Sequence, residues 1–308
     1  MKARGGGMVG TSWLKVVIFS SIFLIICGIL VYVNQIAVSQ PYSIQIAFID
    51  VGEGDSALIQ NSDGYSILLD GGQVSEGPTV LAYLRNNGVY TLNAMIASHA
   101  DSDHIGGLIS VLEATDITID SVIYNGYPGN TQTWNDFVMA VTNEGLGLET
   151  AQFPGELSWG STTAYILNPV SGLENPDTND ASLVMLLDHS DIEYLFTGDI
   201  DSTVESEILA RGTPIAADIL KVAHHGSNYS TSVEFLNAVQ PIDSVISVGD
   251  NPYGHPGAET LARLVARGSN IWRTDLNGTI LVVADDGYSY QVIPSSAEAY
   301  LFLPLMIK

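Results

Sequence analysis

Cysteine is almost missing from this chain. The single residue, Cys27, sits in an apolar N-terminal run, which excludes an intrachain disulfide and leaves the rest of the sequence without a thiolate for metal. Base is scarce too: beyond residue 40 there are 7 lysines and arginines against all 34 acids, a formal balance of −27 with histidine neutral. A surface of that sign repels polyanions within a Debye length of ~8–10 Å, so an extended nucleic-acid-binding face finds no support. Acid is absent from the first forty residues, which carry Lys2, Arg4 and Lys15. Linkers rich in Gly, Ser or Pro and low-complexity tracts are absent as well, so the part after the N-terminal run reads as one domain, with 46 % apolar residues available for a core.

Residues 16–33 contain no charge and follow three bases. That length suits one membrane span with the N-terminus in the cytoplasm and the remainder outside. The expected division is a cytoplasmic tail at 1–15, a transmembrane anchor at 16–38, a single folded domain at 41–295 and a tail at 296–308. Ala37-Val38-Ser39 resembles a signal-peptidase site, so secretion after cleavage is the alternative.

After residue 43 the pattern turns to short strands at 44–50, 56–60 and 66–70, separated by Gly52, Gly54 and a Ser62-Asp63-Gly64 turn. Pro78 opens a helix at 79–87, and the spacing predicts further helices at 105–112 and 134–144. A second series follows: a hairpin turning at His189-Ser190-Asp191, a capping box Ser202-Thr-Val-Glu205, then alternating strands and helices to residue 293. Two packed sheets flanked by helices fit this order.

The densest chemistry is Ser98-His-Ala-Asp-Ser-Asp-His104, where His99, Asp101, Asp103 and His104 stand between an apolar strand and a helix. Two imidazoles and two carboxylates on one loop suit zinc or, in a more oxygen-rich site, manganese and iron. Asp199 follows another apolar strand, Lys221, His224 and His225 follow a third, and His255 precedes a helix. Ligands gathered from several strand ends make a pre-organised site. Only His189 reads as an ordinary surface histidine. Asp50, Glu53 and Asp55 read as turn chemistry.

These motifs, with Phe48-Ile-Asp-Val-Gly-Glu-Gly-Asp-Ser56, Leu68-Leu-Asp-Gly-Gly72, Phe196-Thr-Gly-Asp199, Leu220-Lys-Val-Ala-His-His-Gly-Ser227 and Gly254-His-Pro256, resemble the metallo-β-lactamase superfamily over residues 44–285. Within it they resemble the extracellular hydrolase domain of the ComEC competence-protein family. The resemblance implies an αββα sandwich and two divalent metal ions, Zn or Mn. It implies His99 and Asp101 on one ion, Asp103, His104 and His255 on the other, and Asp199 between them. His225 is expected as a ligand and His224 as its support, with the reverse open; Asp70 is expected to hold the ligand loop by hydrogen bonds. A metal-bridging hydroxide would attack a phosphodiester, with Asp103 orienting it, Lys221 holding a phosphoryl oxygen, and Ser227 and Asn228 either donating to substrate or capping the next turn.

The resulting expectation is a membrane-anchored, outward-facing phosphodiesterase or nuclease acting on single-stranded DNA, with a separate channel protein as partner in DNA uptake. A hydrolase of small molecules or surface polymers, of the phosphorylcholine-esterase type, is the alternative. A metal-stabilised binding module without catalysis is the third reading.

Overall fold

The computed structural model describes residues 42–174, 176–285 and 289–296. The expected anchor and the 297–308 part of the tail lie outside the described residues, among which no helix is long and apolar enough to cross a membrane.

The first half supplies β1 (Ile44–Phe48), β2 (Ala57–Asn61), β3 (Ser66–Leu69), α1 (Gly77–Asn86), β4 (Thr91–Leu92), β5 (Ala94–Ala97), α2 (Ser102–Leu112), β6 (Thr118–Ile119), β7 (Val122–Tyr124), α3 (Gln132–Asn143) and β8 (Leu148–Thr150). The second supplies β9 (Gly155–Trp159), β10 (Thr162–Asn168), β11 (Val184–His189), β12 (Ile192–Phe196), α4 (Ser202–Ala210), β13 (Ile219–Lys221), α5 (Val233–Val239) and β14 (Asp243–Ile246). It continues with α6 (Ala258–Arg267), β15 (Asn270–Arg273), α7 (Thr274–Asn277), β16 (Ile280–Ala284) and β17 (Tyr290–Pro294). One sheet runs β17-β16-β1-β2-β3-β5-β7-β8 and the other β15-β14-β13-β12-β11-β10-β9.

Alternation along the strands explains the layering. Ile44, Ile46 and Phe48 of β1 enter a core shared with Met185, Leu187, Tyr194 and Phe196 of the opposite sheet. Ala47 faces the other way, into a second core with Leu84, Leu108 and Phe137 from the helices over the first sheet. A third core joins Leu195 and Leu220 to Ile208, Phe235 and Leu264. Helices therefore cover both outer faces, and the αββα expectation holds.

Strands β3, β5, β7 and β8 run parallel, as do β12 to β15. In parallel sheets the loops leaving the carboxyl ends of the strands gather the chemistry. Asp70 follows β3, His99 follows β5, Asp199 follows β12, and His224 and His225 follow β13. Antiparallel pairing of β1 with β2 and of β2 with β3 puts the loop after β1 on that same edge.

Three local expectations are corrected. Strands β8 to β10 were not anticipated: β9 is a largely exposed edge strand, and its regularity comes from pairing with β10. The α4 cap is Asp201, whose Oδ1 accepts from the Thr203 and Val204 amides at 2.7 and 3.2 Å. Glu205 does not close a capping box; it is buried and accepts from the Thr231 and Ser232 amides.

His189 is no surface residue, being 2 % exposed. Asn61 Nδ2 donates to Thr162 Oγ1 at 2.9 Å, which leaves the Thr162 hydroxyl proton for His189 Nδ1 at 2.7 Å. The imidazole thus bridges into a contact between the two sheets as a neutral acceptor. Burial lowers its pKa, against the opposing pull of Asp63 and Asp188. The unfolded chain then binds a proton first, so this contribution to stability is full above the unfolded value of ~6.5 and is lost as pH falls below it. Urea denaturation from pH 7.5 to 5 should find the stability gap between wild type and His189→Gln narrowing with acid; a constant gap would assign the histidine no linked proton.

Candidate metal centre

The ligand loop is fixed from beneath. Asp70 Oδ1 accepts from the Ser98 amide at 2.8 Å, while Oδ2 takes the Ser98 hydroxyl at 2.6 Å and His104 Nδ1 at 2.9 Å. The Asp70 contact places the His104 proton on Nδ1 and leaves Nε2 as a lone-pair donor. This is the supporting role expected of Asp70. Helix α2 lies backbone to backbone on the loop after β3, because a Cβ on Gly107 would fall 1.9 Å from the Gly71 carbonyl oxygen. Asp101 occupies the N-cap position of α2 without capping it.

Three further segments meet this loop. Asp199 Oδ2 lies 3.4 Å from both His104 Nε2 and His225 Nε2, and 4.0 Å from His224 Nε2. His225 Nε2 is also 3.5 Å from Asp103 Oδ2, while its Nδ1 donates to the Ser247 carbonyl at 3.0 Å. His99 Nε2 faces Asp101 Oδ2 at 3.8 Å, and the His99 and His104 rings are 4.0 Å apart. Both His224 and His225 hold left-handed backbone, at φ 51° and 50°. Such residues are strained by about 1–3 kcal/mol each and concentrate at functional sites.

Among the buried atoms here without a hydrogen-bond partner are His99 Nε2, His104 Nε2, His225 Nε2 and Asp199 Oδ1. Leaving such groups unpaired costs about 1–3 kcal/mol each, and they converge on one another. His99, His104 and Asp199 offer ligand atoms within 4.8 Å of each other, as do Asp103, His104 and His225. Nitrogen and carboxylate donors without sulfur are the set divalent Zn or Mn takes. The residues fit a metal centre.

The family model described as the metallo-beta-lactamase superfamily matches residues 49–250. The chain belongs to that superfamily. It is 30 % identical over 257 residues to ComE operon protein 3 of Bacillus subtilis (strain 168), covering 77 % of this chain and 32 % of that protein. It is 32 % identical over 236 residues to competence protein ComA of Neisseria gonorrhoeae, covering 75 % and 31 %. The chain thus spans about a third of the length of these relatives. Among solved structures, the metal-dependent hydrolase Tm1679 of the β-lactamase superfamily aligns with a TM-score of 0.53 at 14 % identity, covering 79 % of this chain and 100 % of that one.

Within this metallo-β-lactamase fold the expected ligands fall into an inner and an outer group. His99, His104, Asp199 and His225 are buried, whereas the side chains of Asp101 and Asp103 are 38 % and 29 % exposed and border the opening. Of the adjacent histidines it is His225 whose ring reaches Asp103 and Asp199, and His224 stands at the rim with its side chain 30 % exposed. The His255 ring lies 6.1 Å from that of His225, with its Nδ1 held by Glu53 Oε1 at 2.9 Å.

Charge balances tightly. Burial opposes ionisation of Asp199, yet His225 and His104 hold it well below the usual carboxylate range. Burial also opposes charge on those two imidazoles, but Asp199 raises both. Burial keeps His99 neutral, with its pKa lowered to about 3. Burial raises Asp101.

Lys221, expected to face substrate, is buried beside the centre instead. Its side chain is 4 % exposed and its ammonium is engaged by Asp55 Oδ2 at 2.7 Å and the Val222 carbonyl at 3.0 Å. Ser227 and Asn228 take the capping alternative. Ser227 Oγ accepts from the Tyr229 amide, and Asn228 Oδ1 from the Glu259 amide in the first turn of α6.

Glu53 and Asp55 were read as turn chemistry and are part of the centre's frame. Glu53 Oε2 accepts from the Gly249 amide at 3.0 Å while Oε1 takes His255, so a first-sheet loop locks two positions of a second-sheet loop. Asp55 Oδ1 lies 3.4 Å from His225 Nδ1. The available signal was topological: two successive hairpins return the Gly52-Glu-Gly-Asp55 loop to the edge that carries Asp70 and His99. Loss of an outer partner of this kind lowers metal affinity or activity by ~10–100-fold. Glu53→Ala should fall in that range in a competitive chelator titration and Glu53→Gln should retain most of the affinity; equal behaviour of both variants and wild type would remove Glu53 from the frame.

Proposed function

We propose that the chain is a metal-dependent phosphodiesterase whose natural ester is a nucleic-acid strand, related in role to the competence proteins it resembles. The observation that supports this most is the convergence of the unpaired atoms of His99, His104, His225 and Asp199 behind the two half-open carboxylates, Asp101 and Asp103. Two divalent ions, Zn or Mn, would be held by His99, Asp101, Asp103, His104, Asp199, His225 and His255. Bound there, they supply Lewis acidity that lowers the pKa of water and screens charge gathering on phosphoryl oxygens.

The protein's own part is orientation. Asp103, whose Oδ2 faces His225 Nε2 at the mouth, orients the attacking water and accepts its proton at that oxygen. Asp70, Glu53 and the Ser247 carbonyl keep His104, His255 and His225 protonated on Nδ1, so that each Nε2 stays available. Lys221 acts through Asp55 rather than on substrate. The single-span anchor would hold the domain outside the cytoplasmic membrane, with a separate channel protein as its partner if the substrate is imported DNA.

The acidic surface favours a second reading, a small phosphoester or phosphorylcholine-type polymer as substrate. Hydrolysis of bis-p-nitrophenyl phosphate and of labelled single-stranded DNA by the Mn- or Zn-loaded protein decides between them, with Asp103→Ala as control. Cleavage of both substrates, lost in the variant, is the expected result. Cleavage of the small ester alone selects the second reading, and cleavage of neither overturns the proposal.

A further inference from the structure

All six lysines and arginines among the described residues already have acceptors. Arg85 pairs with Asp116, Lys221 with Asp55 and Arg273 with Asp275, while Arg211, Arg263 and Arg267 donate to the carbonyls of Leu167, Thr231 and Leu236. No described cation is left over to track a phosphate backbone beyond the centre. Whatever holds the rest of a substrate strand must work without ion pairs.

An aromatic surface stands at the place where such a contact is needed. A file of rings runs outward from the metal centre, His99 to His104 at 4.0 Å, His104 to His225 at 5.5 Å, His225 to His255 at 6.1 Å, and His255 to Tyr253 at 5.6 Å. The last ring is 73 % exposed. Its loop is held by Asn251, whose Oδ1 accepts from both the Tyr253 and His255 amides at 3.0 Å and whose Nδ2 donates to the Gly249 and His255 carbonyls. This tyrosine, on a pinned backbone, packs on the ring of His255 and leaves most of its surface to solvent.

We infer that Tyr253 is a stacking platform for the nucleobase flanking the scissile phosphate of a single-stranded nucleic acid. This rests on the phosphodiesterase reading for its substrate class. Stacking needs a free π-face, so a paired duplex base is refused and an unpaired one accepted, without regard to sequence. It also reconciles a nucleic-acid ester with a surface that repels polyanions: the centre takes one phosphate, and affinity for the neighbouring unit is uncharged.

The test compares a base-bearing oligothymidylate with an abasic deoxyribose-phosphate strand of equal length, using the full chain loaded with Mn. Tyr253→Ala should lower kcat/KM on the base-bearing strand about tenfold through KM, since stacking contributes ~1–3 kcal/mol per base. The abasic strand should be unaffected, Tyr253→Phe should behave as wild type, and Tyr90→Ala, which removes an exposed tyrosine from the start of the segment leading into β5, should change nothing. Equal loss on both strands, or none on either, overturns the inference. Fluorescence anisotropy with both strands on Asp103→Asn separates this from the hydrolytic reading. Tighter binding of the base-bearing strand that disappears with added Tyr253→Ala supports the platform even if no cleavage occurs, and equal binding of the two strands overturns it even if cleavage does.

Discussion

Replacing Asp199 by alanine is expected to empty the centre of metal and to abolish hydrolysis together. Asp199 Oδ2 is the point on which His104 and His225 close at 3.4 Å, and its second oxygen is buried without a partner. Among the described residues it is the one carboxylate that meets the Nε2 atoms of both rings at that distance, 3.4 Å. The loss should exceed the ~10–100-fold that removal of a merely supporting contact produces. Metal content after desalting and turnover of bis-p-nitrophenyl phosphate check it. Paired variants of the adjacent histidines sharpen the result: His225→Asn should follow Asp199→Ala, while His224→Asn should keep its metal and lose activity less than the other. A desalted Asp199→Ala protein with full metal content would move the centre away from this edge.

The second large effect concerns stability. Lys221→Met deletes the ammonium but leaves Asp55 buried, and removing one partner of a buried ion pair costs about 3–5 kcal/mol. Burial opposes the charge on Asp55 and Lys221 is its largest compensation, followed by His225. For a domain of this size each kcal/mol lowers Tm by roughly 2–4 °C, so a fall of about 10 °C is expected in thermal denaturation. The Lys221→Met/Asp55→Asn double variant should recover part of it. A lysine that instead held a substrate phosphate would raise KM and leave Tm where it was, so one pair of measurements separates the role drawn from the motif from the role drawn from the geometry.

What could be read from sequence was whatever repeats locally. Apolar strands ending in His99, Asp199 and His225 announce themselves within ten residues, and the two-sheet layering follows from runs buried on both faces. What could not be read lies between residues far apart in the chain. Glu53 meets His255 across 202 positions, and nothing near Glu53 distinguishes it from a turn acid. His189 resembled a surface histidine because it ends a hairpin strand; its burial comes from Thr162 and Asn61 on other strands. Lys221 failed differently. The motif placed it beside the centre correctly, but only the partner carboxylate of Asp55 decides which way an ammonium on a flexible stem points.

Strand β1 lies between β2 and β16, with Ile44 opposite Asn61 on one side and Ala284 on the other. A ribosome delivers those neighbours at very different times. After some sixty residues β1 has one partner, and its other edge stays open until residue 284 emerges. Closing so long a loop carries an entropic penalty that local pairing does not repay. The growing chain therefore exposes an unpaired, apolar strand edge until β16 follows, the condition under which strands find wrong partners. Maturation should depend on holding that edge apart until β16 arrives, and a chain stopped before β16 should aggregate rather than accumulate as a smaller folded domain.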